Sequence, residues 1–521
     1  MEIRQWADAE RPALIMYPSG TRITFAELES AANRLAHHFR AAGLREGDVV
    51  AVLMDNSEHT HAVLWAARRA GLYYATINTH LTPAEAAHIV DDCGAKAIVA
   101  SRTLRDVCVA LEPHLRRGLP ALRLIADTDA DGWQRYPDCV AGRPDTPLPD
   151  EREGDLLQYS SGTTGKPKGI RRPLPACSPR EAAVMLAPLL GAIGVDDRAV
   201  YLSPAPLYHT APSFWSMSAQ ALGATVVMLD KFDPVVALEA IQNHRVTHGQ
   251  FVPTMFVRML KMPAAVRESY DVSSLRRVVH AAAPCPPEIK RRMIDWWGPI
   301  VDEFYGSSEG VGVTFIRADE WLAHPGSVGR PLAGIAHVVG DDGRELPPGT
   351  PGDIYFEGAG SFSYLNDPVK TAAAHNDRGW VGVGDVGYLD DDGFLFLRDR
   401  AKDMIISGGV NIYPAEVEGA LTTHPSVRDV AVIGLPDPEW GETVTAVVEL
   451  EDGVDGSDAL ADELIEHCRE RLARFKCPRT VTFRSSLPRT EAGKLYKRLL
   501  VDEYRATDEP RATDEQRADR S

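Results

Sequence analysis

A chain of 521 residues with 56 Lys and Arg against 74 Asp and Glu carries a formal charge of −18, a field that repels nucleic-acid backbones and anionic lipid headgroups. It also exceeds the size at which a single hydrophobic core stops growing, so two or more domains are expected. Seven scattered cysteines without a C-x-x-C pair argue against a disulfide framework or a zinc site, and neither a secretory leader nor a membrane-length apolar run is legible, which points to a soluble, cytoplasmic protein.

The first hundred residues alternate between helical and strand periodicity. Thr24 with Glu27 reads as a capping box, and Phe25, Leu28, Leu35 and Phe39 share one helical face up to Gly43. Val49 to Leu53 and Tyr73 to Ile77 read as strands. Thr82-Pro83-Ala84-Glu85 starts a second capped helix, Gly94 stops it, and Ala97 to Ala100 reads as the next strand. This rhythm predicts an α/β fold with a largely parallel sheet covered by helices.

After Leu156-Leu157 comes Tyr159-Ser160-Ser161-Gly162-Thr163-Thr164-Gly165-Lys166-Pro167-Lys168-Gly169. Such a loop can turn backbone N–H groups, hydroxyls and ammonium groups toward phosphate oxygens. It is not a nucleotide-kinase P-loop, because Ser160 takes the place of the first glycine and Pro167 follows Lys166. Further on comes Glu303-Phe304-Tyr305-Gly306-Ser307-Ser308-Glu309, an acidic, aromatic, Gly-containing stretch that by itself reads as a turn.

A change of composition near Leu397-Arg398-Asp399-Arg400 marks a domain boundary, with residues 1–399 before it and a smaller unit, 400–504, after it. Beyond Tyr504, Arg505-Ala-Thr-Asp-Glu-Pro510 is nearly repeated as Arg511-Ala-Thr-Asp-Glu-Gln516. With no apolar residue larger than Ala, the segment 505–521 is expected to stay disordered.

Ser-Gly-Thr-Thr-Gly-Lys-Pro-Lys-Gly, together with the Tyr305 block, closely resembles motifs of the adenylate-forming superfamily of acyl-CoA synthetases, firefly luciferase and peptide-synthetase adenylation domains, over roughly Thr21 to Leu499. The resemblance implies a large N-terminal domain of layered sheets and helices and a small mobile α+β domain. It implies an enzyme that activates a carboxylic acid with ATP and Mg²⁺ to an acyl-AMP and passes the acyl group to coenzyme A. In the Tyr305 block the resemblance implies a π-face for adenine in Tyr305, an acceptor for its exocyclic amine in Glu303, a donor to phosphate in Ser308 and a hard oxygen ligand for Mg²⁺ in Glu309. Ser308 stands where the family usually has Thr, and the hydroxyl is kept. Ala282 and Ala283, in His280-Ala281-Ala282-Ala283-Pro284, would let backbone approach adenine. Asp385 and Arg400 would bind ribose. Lys402 would be the pivot between the domains, and Gly408-Gly409 would admit the pantetheine arm. Lys494, in Pro488-Arg489-Thr490-Glu491-Ala492-Gly493-Lys494, would reach the reacting carboxylate, and His209 would stand at the mouth of the acyl pocket.

Candidate pocket walls are Tyr208, His209, Phe214, Trp215, Phe251, Val252 and Met255, whose apolar character favours a fatty or other bulky hydrophobic acid. An aryl or steroid acid–CoA ligase, and a ligase loading a carrier protein, are the alternatives; a silent nucleotide-binding regulator is disfavoured by Lys494 and Glu309. The partners expected are the small-molecule acid, ATP and CoA, with a homodimer as a possible assembly, and neither nucleic acid nor an integral membrane contact.

Overall fold

The computed structural model describes residues 8–160, 167–179, 181–182, 190–358, 360–400, 403–407, 410–437, 440–489 and 495–508. The N-terminal rhythm folds as its sequence indicates. Thr24 and Glu27 form a reciprocal capping box on the helix Phe25–Ala41, and Phe25, Leu28, Leu35 and Phe39 are fully buried. The strands Val49–Leu53 and Ala97–Ala100 occupy the expected residues, whereas Tyr73–Thr76 ends one residue early. All three belong to a six-stranded parallel sheet in the order Gln134–Tyr136, Leu122–Ala126, Ala97–Ala100, Val49–Leu53, Tyr73–Thr76, Asp155–Leu156. Val-Val-Ala-Val-Leu is apolar at every position because both faces of this strand are covered.

A nine-stranded sheet carries the other half of the large unit. Its parallel centre runs Val301–Gly306, Arg277–His280, His248–Phe251, Val200–Ser203, Thr225–Leu229, Pro12–Tyr17, with antiparallel strands at both edges. One core joins the two sheets: Val50 and Val52 from the first and Leu14, Met16 and Val226 from the second pack with the helices Phe25–Ala41, Thr60–Arg69 and Thr210–Ala221.

A four-stranded antiparallel sheet follows, Ile335–Val339, Gly352–Glu357, Val381–Leu389, Leu395–Arg400. The C-terminal unit has its own five-stranded sheet built on the long hairpin Val427–Asp437 and Gly441–Leu450, with the helices Pro414–Thr422 and Asp458–Arg469 on its core. The last helix runs Lys497–Asp508, four residues into the segment expected to be disordered, because Leu500 is fully buried and Val501 and Tyr504 pack beside it on Ala431 and Ile433. Residues 509–521 lie outside the described residues. No described helix is long and apolar enough to cross a membrane.

Candidate active site

Parallel strands in one sheet present their carboxyl ends along one edge, and ligands bind in the crevice outside that edge. Here four neighbouring strands lead, in order, into Ser307-Ser308-Glu309, Ala281–Pro284, Val252-Pro253-Thr254 and Pro206–His209. Segments spread over more than a hundred residues are thereby set side by side, about 5 Å per strand. All of them line one cavity of about 1860 Å³, larger than a single drug-sized ligand requires.

At one end of this cavity the polar groups are already paired. The Tyr305 hydroxyl donates to Asp385 Oδ2 at 2.6 Å. Asp385 lies opposite Arg400 in the register of the four-stranded sheet, so two expected ribose ligands are cross-strand neighbours. The Tyr364 hydroxyl donates to Glu309 Oε1 at 2.8 Å. Ala282 has φ 78°, a left-handed conformation that disfavours large side chains, in the segment expected to face adenine. Ser307, Ser308 and Gly306 also line this end.

Two expected ligands are differently engaged. Glu303 is buried and its Oε2 is committed to Lys290, which donates at 2.7 Å from the helix Pro287–Trp297 and lies over the Trp321 ring at 4.8 Å. Burial pushes the Glu303 carboxyl up while the ammonium opposes it. Glu303 Oε2 is therefore half of an ion pair, while Glu303 also lines the cavity. Lys168, expected on phosphate, donates to Asp367 Oδ2 at 2.6 Å, and that bond is the leading reason the Asp367 carboxyl is held below its usual range. The backbone of Ser160 pairs with Lys168 across an antiparallel hairpin, placing the ends of the phosphate loop together. Ser161, Gly162, Thr163, Thr164, Gly165 and Lys166 lie outside the described residues, as do Lys402, Gly408, Gly409 and Lys494.

The other end is aromatic. Tyr208, His209, Phe214, Trp215, Val252 and Phe304 line it, with the Tyr208 and His209 rings 4.6 Å apart and Trp215 against Phe304 at 5.5 Å. Phe251, expected in this wall, is not part of it. It is fully buried and packs on Phe256 and Trp297 at 5.6 and 5.5 Å, because alternation along His248–Phe251 sends it to the opposite face from Gln250. Met255 likewise belongs to that core. Sequence reasoning missed Lys290, Tyr364 and Gln250; Gln250 directly precedes Phe251 and Val252, whereas Tyr364 and Lys290 belong to no motif.

Residues 3–364 match the AMP-binding enzyme family, and residues 416–494 match the AMP-binding enzyme C-terminal domain. A feruloyl-CoA synthase of Amycolatopsis sp is 36% identical over 482 residues, covering 92% of this chain and 93% of that protein. The long-chain-fatty-acid–CoA ligase FadD13 of Mycobacterium tuberculosis is 33% identical over 497 residues, covering 93% and 94%. The crystal structure of the anthranilate CoA ligase AuaEII with anthranoyl-AMP matches with a TM-score of 0.82 at 26% identity, covering 96% of this chain and 95% of that one. The chain belongs to the AMP-binding enzyme family, in the adenylate-forming superfamily, and is an ATP-dependent, AMP-forming acid–CoA ligase of the acyl-CoA synthetase type.

Proposed function

We propose that this ligase activates a bulky hydrophobic acid of aryl or arylalkyl type and transfers it to CoA. The observation that carries the reading is the aromatic wall formed by Tyr208, Phe214, Trp215 and Phe304 beside the paired polar end, since flat rings pack against flat rings in offset or edge contacts. Relatives named for feruloyl and anthranilate substrates agree with it. A long-chain acid is the second reading, favoured by the likeness to FadD13.

In the first half-reaction a carboxylate oxygen bonds the α-phosphorus of ATP as the bond to the bridging oxygen breaks and pyrophosphate leaves. Asp385 and Arg400 hold the ribose, Tyr305 lies along adenine, and Ala282 and Ala283 leave room for the base. Ser161, Thr163, Thr164, Lys166, Ser308 and the N–H groups of Gly162 and Gly165 receive the phosphates, and Lys494 neutralises charge at the reacting carboxylate. Glu309, oriented by Tyr364, fits Mg²⁺, which takes one or two carboxylates and otherwise phosphate oxygens and water. Bound there, the ion would offset the phosphate charge.

In the second half-reaction the CoA sulfur bonds the acyl carbon as the bond to AMP breaks, with the thiol proton released. Lys494 must withdraw for the thiol to enter, so the small unit turns about Lys402, and Gly408 and Gly409 give the pantetheine arm space. His209 marks the mouth where acid and thiol meet. The seven free cysteines suit a reducing cytoplasm.

AMP and pyrophosphate release measured with matched aryl, arylalkyl and straight-chain acids tests the reading, with CoA and a phosphopantetheinyl carrier protein as alternative acceptors. An arylalkyl acid with CoA should give the highest kcat/KM. Highest turnover of a long straight chain, or transfer only to the carrier, would replace it.

A further inference from the structure

Gln250 lines the cavity and is 1% exposed. Its Nε2 donates to the main-chain oxygen of Phe251 at 2.8 Å. A carbonyl can only accept, so this bond fixes the amide: the NH₂ faces Phe251 and Oε1 faces elsewhere. That Oε1 is buried and meets no hydrogen-bond donor among the described residues. Native proteins seldom keep such an acceptor without a reason, because its desolvation is otherwise uncompensated.

The sheet order supplies a reason. Gln250 pairs with Val279, two residues before Ala281, and Gly249 beside it pairs with Leu202, on the strand that leads to Tyr208 and His209. Gln250 therefore stands where the aromatic end of the cavity begins, two residues before Val252. We propose that Gln250 Oε1 is a specificity determinant, accepting a hydrogen bond from the body of the acid, so that preferred substrates are hydrophobic acids bearing a hydroxyl or N–H besides the carboxyl. The proposal rests on the reading of this cavity as the place of acid activation. An ionised carboxylate and a phosphate chain have no donor to offer, whereas a phenol, an indole or a hydroxylated chain does. Sites that hydrogen-bond a substrate hydroxyl also reject the analogue that lacks it far better than apolar pockets reject a missing methylene.

The test uses matched acids: 4-hydroxycinnamate and 3-hydroxycinnamate against cinnamate, indole-3-acetate against 1-methylindole-3-acetate, and 16-hydroxyhexadecanoate against hexadecanoate. The full chain should favour the donor-bearing member of at least one pair by about 10-fold or more in kcat/KM for AMP release. Gln250→Leu and the unbranched Gln250→Met should erase that preference by slowing the donor-bearing acid alone, with the ATP KM unchanged. The wild-type comparison needs no variant, so a misfolded substitution does not shelter the idea. Absence of preference in every pair overturns it. Equal losses for both members, as a buried water partner would give, or a raised ATP KM, as an adenine amine partner would give, overturn it too. If no acid releases AMP, the reading of the cavity fails as well, a result distinct from turnover without discrimination.

Discussion

The two ends of the cavity are built on opposite principles. The end proposed for the nucleotide is made of hydroxyls and carboxylates that already hold one another, Tyr305 to Asp385 and Tyr364 to Glu309, with Glu303 paired to Lys290 beside them. The end proposed for the acid is made of rings, with Gln250 Oε1 a buried atom beside them that meets no donor among the described residues. Pre-paired groups keep their geometry before substrate arrives and exchange one hydrogen bond for another when it binds, which suits a ligand that never changes. Rings impose shape but little direction, which suits a scaffold whose acid differs from relative to relative.

The cations near the end proposed for the nucleotide are already engaged. Among the described residues Lys290 is held by Glu303, Lys168 by Asp367, and Lys370 lies over the Tyr364 ring at 3.8 Å. Under the proposed function the loop and Lys494 bring further cations to the triphosphate and the reacting carboxylate. Lys494→Ala should slow acyl-AMP formation by at least about 10²-fold, the scale for losing one preorganised donor. Given synthetic acyl-AMP and CoA, the variant should make thioester at near the wild-type rate. Equal loss in both half-reactions would show that Lys494 does not belong to the nucleotide end alone.

A smaller effect tests whether the ends are separable. Asp385→Asn should raise the ATP KM by roughly tenfold, the cost of one charge-assisted hydrogen bond, and leave the acid KM within about twofold. Val252→Trp should do the reverse, excluding bulky acids while ATP binding holds. If Asp385→Asn moved both constants together, the cavity would be one coupled site and the division drawn above would fail.

The ends also differ in how far the chain itself reveals them. Tyr305, Ser308 and Glu309 lie in one short string and Asp385 in another, and each residue type states its chemistry. Helix starts such as Thr24 with Glu27 and strands such as Val49–Leu53 are local, and folding leaves them where the pattern puts them. The wall of the acyl end is not local. The strand His248–Phe251 is covered on both faces, so alternation has no phase to read, and Phe251, a candidate wall residue by its type, faces the core instead. Which strand adjoins which, and hence that Gln250 stands between Ala281 and Tyr208, depends on sheet order, which no periodicity records. Lys290 was invisible for the same reason: its partner is thirteen residues away on a different element.

The smallest expected effect concerns what holds the acyl wall in place. Phe214 and Trp215 ride on the helix Thr210–Ala221, whose Ser216 and Gln220 bond to His61 on the helix Thr60–Arg69. The Trp65 Nε1–H donates to Gln220 Oε1 at 2.9 Å, so Gln220 turns its NH₂ to His61 Nδ1, which accepts at 3.1 Å, and His61 Nε2–H donates to the Ser216 hydroxyl at 3.0 Å. Only the neutral imidazole satisfies this chain, and burial pushes the His61 pKa down to about 3. The unfolded chain takes up that proton near pH 6.5 whereas the folded one refuses it until about pH 3, so stability falls as pH drops below 6.5. For one proton the slope approaches about 1.4 kcal/mol per pH unit. His61→Gln should be less stable than wild type at pH 7, and urea unfolding should show the gap narrowing by about 1 kcal/mol between pH 6.5 and 5.5, where protonation of the unfolded imidazole passes from half to nearly complete. At the same time the wild-type acid KM should rise before the ATP KM does, because the network anchors the aromatic end and not the paired one. Parallel pH profiles for the two constants would mean that His61 supports the whole core equally.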